Sequence, residues 1–239
     1  MELVASAEAL RAAQQLRYQV FCHQRNILPG HDGIECDEYD TRSRHIVLRH
    51  RESGRVVGTA RVITPSADCW PRLPMQRVCD PALLRCLPLA TTGEISRFAV
   101  SRDRRASDGK SDLLLRLGLM QGILRVSREL GLTHWCAGME PSLLRLLRTA
   151  GVDFEPLGPL VAYHGLRQPA VAVIDHLLAA GRYQRPAIWN YVTASGELAH
   201  NPETRIRHIR ATTPIKVAGL VGVAADRPSP QLSSRAFPG

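Results

Sequence analysis

Residues 94–101 read Glu94-Ile95-Ser96-Arg97-Phe98-Ala99-Val100-Ser101, and after a short basic connection the sequence becomes helical in spacing over 111–130. Apolar, β-branched and aromatic residues through the octet make it a strand. In a regular strand Glu94, Ser96, Phe98 and Val100 share one face, and Ile95, Arg97, Ala99 and Ser101 share the other. A carboxylate in so apolar a setting is costly unless it is paired or put to use. The helix that follows repeats leucines and an isoleucine at 113, 114, 117, 123 and 124 and stops at Gly131.

Working outward from this unit, two strands precede it. His45–Arg49 and Arg55–Ile63, joined by the turn-forming Glu52-Ser53-Gly54, predict an antiparallel hairpin. Before them, residues 6–21 place Leu10, Ala13, Leu16, Val20 and Phe21 on one side of a first helix. Residues 25–43 form a loop, with Pro29-Gly30 and Asp32-Gly33 as turn signals. Downstream, a strand over 133–139, a helix over 141–150, strands near 153–164 and a helix over 169–183 are expected. This order gives the α+β class. Residues 1–194 are expected to form the folded domain. Residues 195–239, which include Arg227-Pro228-Ser229-Pro230-Gln231, are expected to form a partly disordered C-terminal extension.

Composition sets outer limits. The chain has 239 residues, 44% of them hydrophobic, enough for one sizeable core. The first twenty residues hold Glu2 and Glu8 and no continuous apolar block, so no secretory signal or transmembrane segment is expected there, and a cytoplasmic location is. Six cysteines without a CxxC pair argue against a zinc site or a disulfide framework, and no metal is expected. The net charge is +9, yet only 5% of residues are aromatic and no nucleic-acid-binding signature is present, so nucleic acid is not the expected partner.

Against this basic background, Gly33-Ile34-Glu35-Cys36-Asp37-Glu38-Tyr39-Asp40 stands out as acidic. It lacks the order of a calcium loop. Three arginines need carboxylates: Arg17 beside the apolar side of the first helix, Arg61 inside the second hairpin strand, and Arg97 in the third. Glu35, Asp37 and Asp40 are the carboxylates available to them, and bidentate contacts would pin the loop over the sheet. The alternative is a set of ordinary exposed charges worth little individually.

Laid end to end, Arg17-x-x-Val20-Phe21, Glu35-x-Asp37-x-x-Asp40, Gly58-x-x-Arg61 and Glu94-x-Ser96-Arg97-Phe98 resemble the LuxI-type autoinducer synthases, a branch of the GNAT acyltransferase fold. Phe21-Cys22-His23-Gln24, Ser43-Arg44-His45 and Arg51-Glu52-Ser53-Gly54 bring the pattern closer to the PEP-CTERM/exosortase-associated acyltransferases, whose layout the long-chain N-acyl amino acid synthases share. The resemblance implies a three-layer αβα fold around a central mixed, mostly antiparallel, twisted sheet.

It also implies an N-acyltransferase that moves a fatty acyl chain from acyl carrier protein to the amine of a small acceptor such as an amino acid. No tightly bound cofactor is implied; acyl-carrier protein or acyl-coenzyme A serves as co-substrate. Homoserine-lactone synthases carry a Trp shortly after the first motif, where this chain has Asn26-Ile27-Leu28-Pro29. That departure points away from S-adenosylmethionine as acceptor, which stays as an alternative. So do a coenzyme-A-dependent N-acetyltransferase and a non-catalytic module binding carrier protein or RNA.

A thioester is already activated, so the reaction needs a neutral amine, an oxyanion site and alignment rather than an enzyme nucleophile. Glu94 is the candidate base, with Ser96 and Arg97 beside it. Arg17, Phe21, Glu35, Asp37, Asp40, Arg61, Phe98 and Val100 are candidates to shape the substrate pocket, with the backbone amides of Phe98–Val100 as oxyanion donors. Arg102, Arg104, Arg105 and Lys110 are candidates to dock the acidic carrier protein. His23, His31 and His45 are alternative bases, and Cys22 and Cys36 alternative nucleophiles.

Overall fold

The computed structural model describes residues 1–66, 72–101 and 109–200, leaving aside the side chains of 109–111. Arg102, Arg104, Arg105 and the Lys110 side chain, the expected docking residues, therefore lie outside the described residues.

The chain opens with β1 (Glu2–Leu3), a short strand that the sequence pattern does not signal. Helix α1 (Ala7–Arg17) begins where Ser6 accepts a hydrogen bond from the Ala9 N–H, with Glu8 in its first turn and Arg17 in its last. The expected continuation to residue 21 takes the form of a π-helix, Tyr18–Gln24, which buries Val20 and Phe21. The hairpin follows as β2 (Ser43–Arg49) and β3 (Val56–Ile63), then come α2 (Pro81–Leu84), β4 (Thr92–Val100) and α3 (Gly109–Glu129). The second half comprises β5 (His134–Met139), α4 (Pro141–Thr149), β6 (Glu155–Pro156), β7 (Val161–Ala162), β8 (Leu166–Val173), α5 (Ile174–Gln184) and α6 (Pro186–Val192).

These strands form one eight-stranded mixed sheet in the order β1-β2-β3-β4-β5-β8-β6, with β7 on β8, and helices flank it. Every pairing is antiparallel except β4–β5. Alternation along β2 and β3 builds two cores. Ile46, Leu48, Ala60 and Val62 face α3 in the larger cluster. On the opposite face, Ile63 joins Tyr39, Leu73 and Met75, while Leu16, Val20 and Phe21 pack on Ala99. The α3 helix lies close enough to the sheet that a Cβ at Gly122 would stand 2.5 Å from Ile46 Cγ2.

One expected helix is corrected. Residues 169–173 continue β8, and α5 starts at Ile174. Short apolar runs do not distinguish a buried strand from a helix by spacing. Here Ala170 and Ala172 pair with Ala137 and Trp135 of β5, and Pro169, which has no N–H to donate, still accepts from the Leu157 N–H through its carbonyl. The described fold also runs past residue 194: Leu198 packs on the larger core, and buried Arg128 donates to the Leu198 carbonyl at 3.0 Å. Among the described residues, no helix is long and apolar enough to cross a membrane.

Candidate active site

The acidic loop and the three arginines meet. Arg17, at the end of α1, donates through Nε to Glu35 at 2.5 Å and through Nη1 to Asp40 at 2.7 Å. Arg61, in the middle of β3, forks onto Asp37 at 2.6 and 2.7 Å and reaches Asp40 at 2.5 Å. Arg97 bridges Glu35 at 2.9 Å and Asp37 at 2.8 Å. Arg17, Arg61 and Glu35 are 0%, 1% and 2% exposed, so these are buried, hydrogen-bonded charges rather than solvated surface pairs. Gln14 adds a contact to Asp40 at 3.1 Å, and the Glu35 N–H donates to the Gln14 carbonyl, tying the loop to α1 twice.

Burial raises the carboxyls of Asp37 and Asp40, but the guanidinium groups more than offset it. Asp37 ends below the usual range through Arg61 and Arg97. Asp40 falls to about 2, chiefly through Arg17 and then Arg61.

The face assignment along β4 needs correction. The ladder pairs Thr59 with Ala99 but Arg61 with Ser96, so β4 holds one residue more than β3 over this stretch, a β-bulge that skips Arg97 and Phe98. Arg97 takes φ of 51°, a left-handed conformation uncommon for a residue with a side chain. Beyond the bulge the alternation is inverted. Glu94, Ser96 and Ala99 lie on the face of Arg61, and Arg97 reaches the same network. Phe98 and Val100, expected beside Glu94, instead pack with the core on the α3 side. Val100 pairs with Gly58 and does not line the cavity described below.

The parallel pairing of β4 with β5 ends at Glu94–Cys136. Past that point the two strands part, and a cavity of about 450 Å³ occupies the gap. It reaches both faces of the sheet. On the α1 face its walls include Tyr39, Met75, Arg61 and Tyr163; on the α3 face they include Phe98, Met120, Leu143 and Phe154. Glu94, Ser96 and Arg97 line it at and just past the last β4–β5 pair.

Glu94 is 6% exposed and accepts a hydrogen bond from the Met75 N–H at 2.8 Å. Burial raises its pKa to about 7, against the lowering effects of that N–H and of Arg61, Arg42 and Arg97. One carboxylate pushed up beside two pushed down is the pattern that separates a proton acceptor from structural anions. Ser96 Oγ accepts from Arg61 Nε at 2.8 Å, which fixes that guanidinium beside Glu94.

The alternative candidates sit elsewhere. His45 lies behind the network, with Nε2 3.2 Å from the Asp40 carbonyl, and burial lowers its pKa. His23, His31 and Cys36 are exposed and do not line the cavity. Cys22 does not line it either, and burial raises its thiol. No group of metal-ligating side chains is present among the described residues. Several cavity residues carry no local signal in the sequence. Tyr163 comes from the turn between β7 and β8, Met75 from the 3₁₀ turn Pro74–Arg77, and Arg25 and Arg167 meet on Glu140 at the start of α4.

Residues 16–115 match the model of the acetyltransferase (GNAT) domain family. Two acyl-homoserine-lactone synthases are similar in sequence. The one from Rhizobium radiobacter is 30% identical over 176 residues, covering 71% of this chain and 78% of the relative. The one from Vibrio anguillarum is 27% identical over 147 residues, covering 60% and 74%. Among solved structures, TofI in a ternary complex with an inhibitor and MTA superposes with a TM-score of 0.57 at 22% identity, covering 79% of this chain and all of that one. BjaI, a coenzyme-A-dependent acyl-homoserine-lactone synthase, gives 0.55 at 22%, covering 83% and 90%. FeeM, an N-acyl amino acid synthase from uncultured soil microbes, gives 0.55 at 16%, covering 75% and 92%. The chain belongs to the family of acyl-homoserine-lactone synthases, the LuxI-type branch of the GNAT fold, and is an acyltransferase.

Proposed function

We propose that the protein transfers a fatty acyl chain from the thioester of acyl carrier protein to the amine of a small, amino-acid-like acceptor. The observation that carries this reading is the position of Glu94, a buried carboxylate with a pKa of about 7, at the last β4–β5 pair, where it lines one cavity with a polar arm and an apolar arm.

The acceptor enters the arm walled by Tyr39, Met75 and Tyr163, and Glu94 takes a proton from its ammonium group. The freed amine attacks the thioester carbonyl at the gap between β4 and β5, forming the C–N bond. Phe98, which the bulge leaves out of the β3 ladder, offers its N–H to the oxyanion. Collapse of the adduct breaks the C–S bond, the proton shed by the adduct nitrogen goes to the departing sulfur, and the thiol leaves with the carrier. Arg17, Glu35, Asp37, Asp40, Arg61 and Arg97 position the loop and hold the acceptor arm in shape. Phe21 and Phe98 form apolar walls.

A second reading keeps the donor and takes S-adenosylmethionine as acceptor, giving an acyl-homoserine lactone. The sequence relatives favour it. Against it, the cavity wall after the first motif is made by Ile27 and Leu28, with no Trp at that point.

The test incubates purified protein with long-chain acyl carrier protein or acyl-coenzyme A and a mixture of amino acids and S-adenosylmethionine, followed by mass spectrometry. An N-acyl amino acid supports the first reading and a homoserine lactone the second. Thiol release that persists in Glu94→Gln at the wild-type rate overturns the role of Glu94.

A further inference from the structure

We infer that Phe154, held in place by Trp135, is the stop that sets the length of acyl chain the enzyme accepts; the inference rests on the acyl-transfer reading above. The apolar arm of the cavity enters between β4 and β5, where Ala137 and Gly138, the smallest residue types, line it. Its side walls are yielding. Met120 and Met139 are unbranched and adapt their shape. The leucines of α4 come from a helix with no buried residue, and Leu146 is 52% exposed.

Phe154 is different. It lines the cavity, is 4% exposed, and stacks on Trp135 with ring centroids 6.5 Å apart and planes at 19°. Trp135 does not line the cavity, so Phe154 is the wall between the cavity and that ring. Trp135 cannot step back. It is 1% exposed, its indole N–H donates to Ser127 Oγ at 2.7 Å, and the Ser127 hydroxyl donates to the Ile123 carbonyl of α3 at 2.7 Å. A buried indole released from that chain would leave unpaired polar groups in the core, which is costly.

A chain that passes Phe98 and the flexible side chains therefore meets at Phe154 a ring backed by a buried second ring, and its terminal methyl stops there. An extra methylene against such a stop must displace well-packed aromatic atoms, whereas a missing one leaves only a small void. The discrimination is accordingly asymmetric, sharp against chains that are too long and gradual against shorter ones.

The experiment measures kcat/KM for a ladder of saturated, even-numbered acyl thioesters from butanoyl to hexadecanoyl, on both acyl carrier protein and coenzyme A, with the wild type, Phe154→Leu and Phe154→Trp. The expected result is an optimum that moves to chains longer by about two carbons in the Leu variant and shorter by about two in the Trp variant. For the thioester one step beyond the wild-type optimum, the Leu variant gains roughly tenfold relative to its neighbour, as a one- or two-methylene discrimination predicts. The acceptor KM stays at its wild-type value in both, a readout that a general loss of packing would move. If both variants keep the wild-type chain-length profile, Phe154 is not the stop. If the wild type transfers no acyl group from any member of the ladder, the acyl-transfer reading itself fails, a result distinct from an unmoved profile.

Discussion

Arg61 grips Asp37 by two points, Nη1 to Oδ1 at 2.6 Å and Nη2 to Oδ2 at 2.7 Å, although Glu94 lies on the same face of the adjoining strand. The guanidinium is thus committed to the loop, and among the described residues Glu94 has no forked cation of its own. Both consequences matter for the site: the loop is pinned over the sheet, and the carboxylate that lines the cavity keeps a raised pKa.

Replacing Arg61 by Met tests the first consequence. Half-buried Asp37 would then lose its main partner and Asp40 would keep only Arg17 of its two guanidinium partners, and breaking such a buried pair costs about 3–5 kcal/mol. Urea unfolding of Arg61→Met at neutral pH is expected to show a loss of that size. Arg61→Lys is expected to recover only part of it, because an ammonium supplies one point of contact where the fork supplies two. A loss below about 1 kcal/mol in Arg61→Met would place the network among ordinary surface pairs.

Glu94 as base predicts the shape of the pH profile. The carboxyl must be ionised to accept a proton, so kcat/KM rises with pH through about 7 and levels above it. Glu94→Gln removes that limb and lowers kcat by roughly 10²- to 10⁴-fold, the range for a lost general base. Binding of the acyl thioester, followed by fluorescence or calorimetry, stays as in the wild type. An unchanged limb in the Gln variant assigns it to another group.

The same raised pKa has a cost in stability, with a definite sign. Between the ordinary value of 4.5 and about 7 the folded chain binds more protons at Glu94 than the unfolded chain does, so stability falls as pH rises through this window. Glu94→Gln keeps an oxygen to accept from the Met75 N–H and removes the titration. Relative to the wild type, the variant is therefore expected to gain about 3 kcal/mol at pH 8 compared with pH 4, since a tenfold difference in proton affinity between the folded and unfolded chain corresponds to about 1.4 kcal/mol. Asp40 works in the opposite sense. Its depressed pKa stabilises the fold above pH 4, and that contribution is lost as pH falls toward 2.

How far the sequence reveals this site depends on which interactions are local. The arginine and carboxylate positions are legible because each charge sits in an apolar context that demands a partner, and Arg17, Arg61 and Arg97 do meet Glu35, Asp37 and Asp40. The bulge at Arg97 is not legible. No glycine marks it, so strict alternation mistakenly places Phe98 and Val100 beside Glu94. The sheet order is legible as a class but not at β8, where Pro169 and an apolar run suit either a strand or a helix start. Tyr163 and the Met75 N–H reach Glu94's cavity by tertiary folding alone, 69 and 19 positions from it in the chain, and no spacing rule connects them to it.

We propose that the basic run Arg102, Arg104, Arg105 and Lys110 docks acyl carrier protein, a role that would separate the two donors. Acyl carrier protein presents an extended acidic surface, so its encounter depends on long-range attraction and weakens as salt shortens the Debye length below about 10 Å. Coenzyme A carries its charges on a small molecule, and its encounter depends less on long-range attraction. Reversing Arg102, Arg104 and Arg105 to Glu is expected to raise KM for acyl carrier protein about tenfold or more, in line with steering effects of 10- to 1000-fold, and to change kcat little. The KM for acyl-coenzyme A should move by less than about threefold on the same principle. In the wild type, added salt reproduces the first effect; in the reversed variant salt has little left to screen. Equal losses with both donors would show that the run serves the thioester arm common to them, and a salt-independent KM for the carrier would remove the electrostatic argument for a carrier-protein donor.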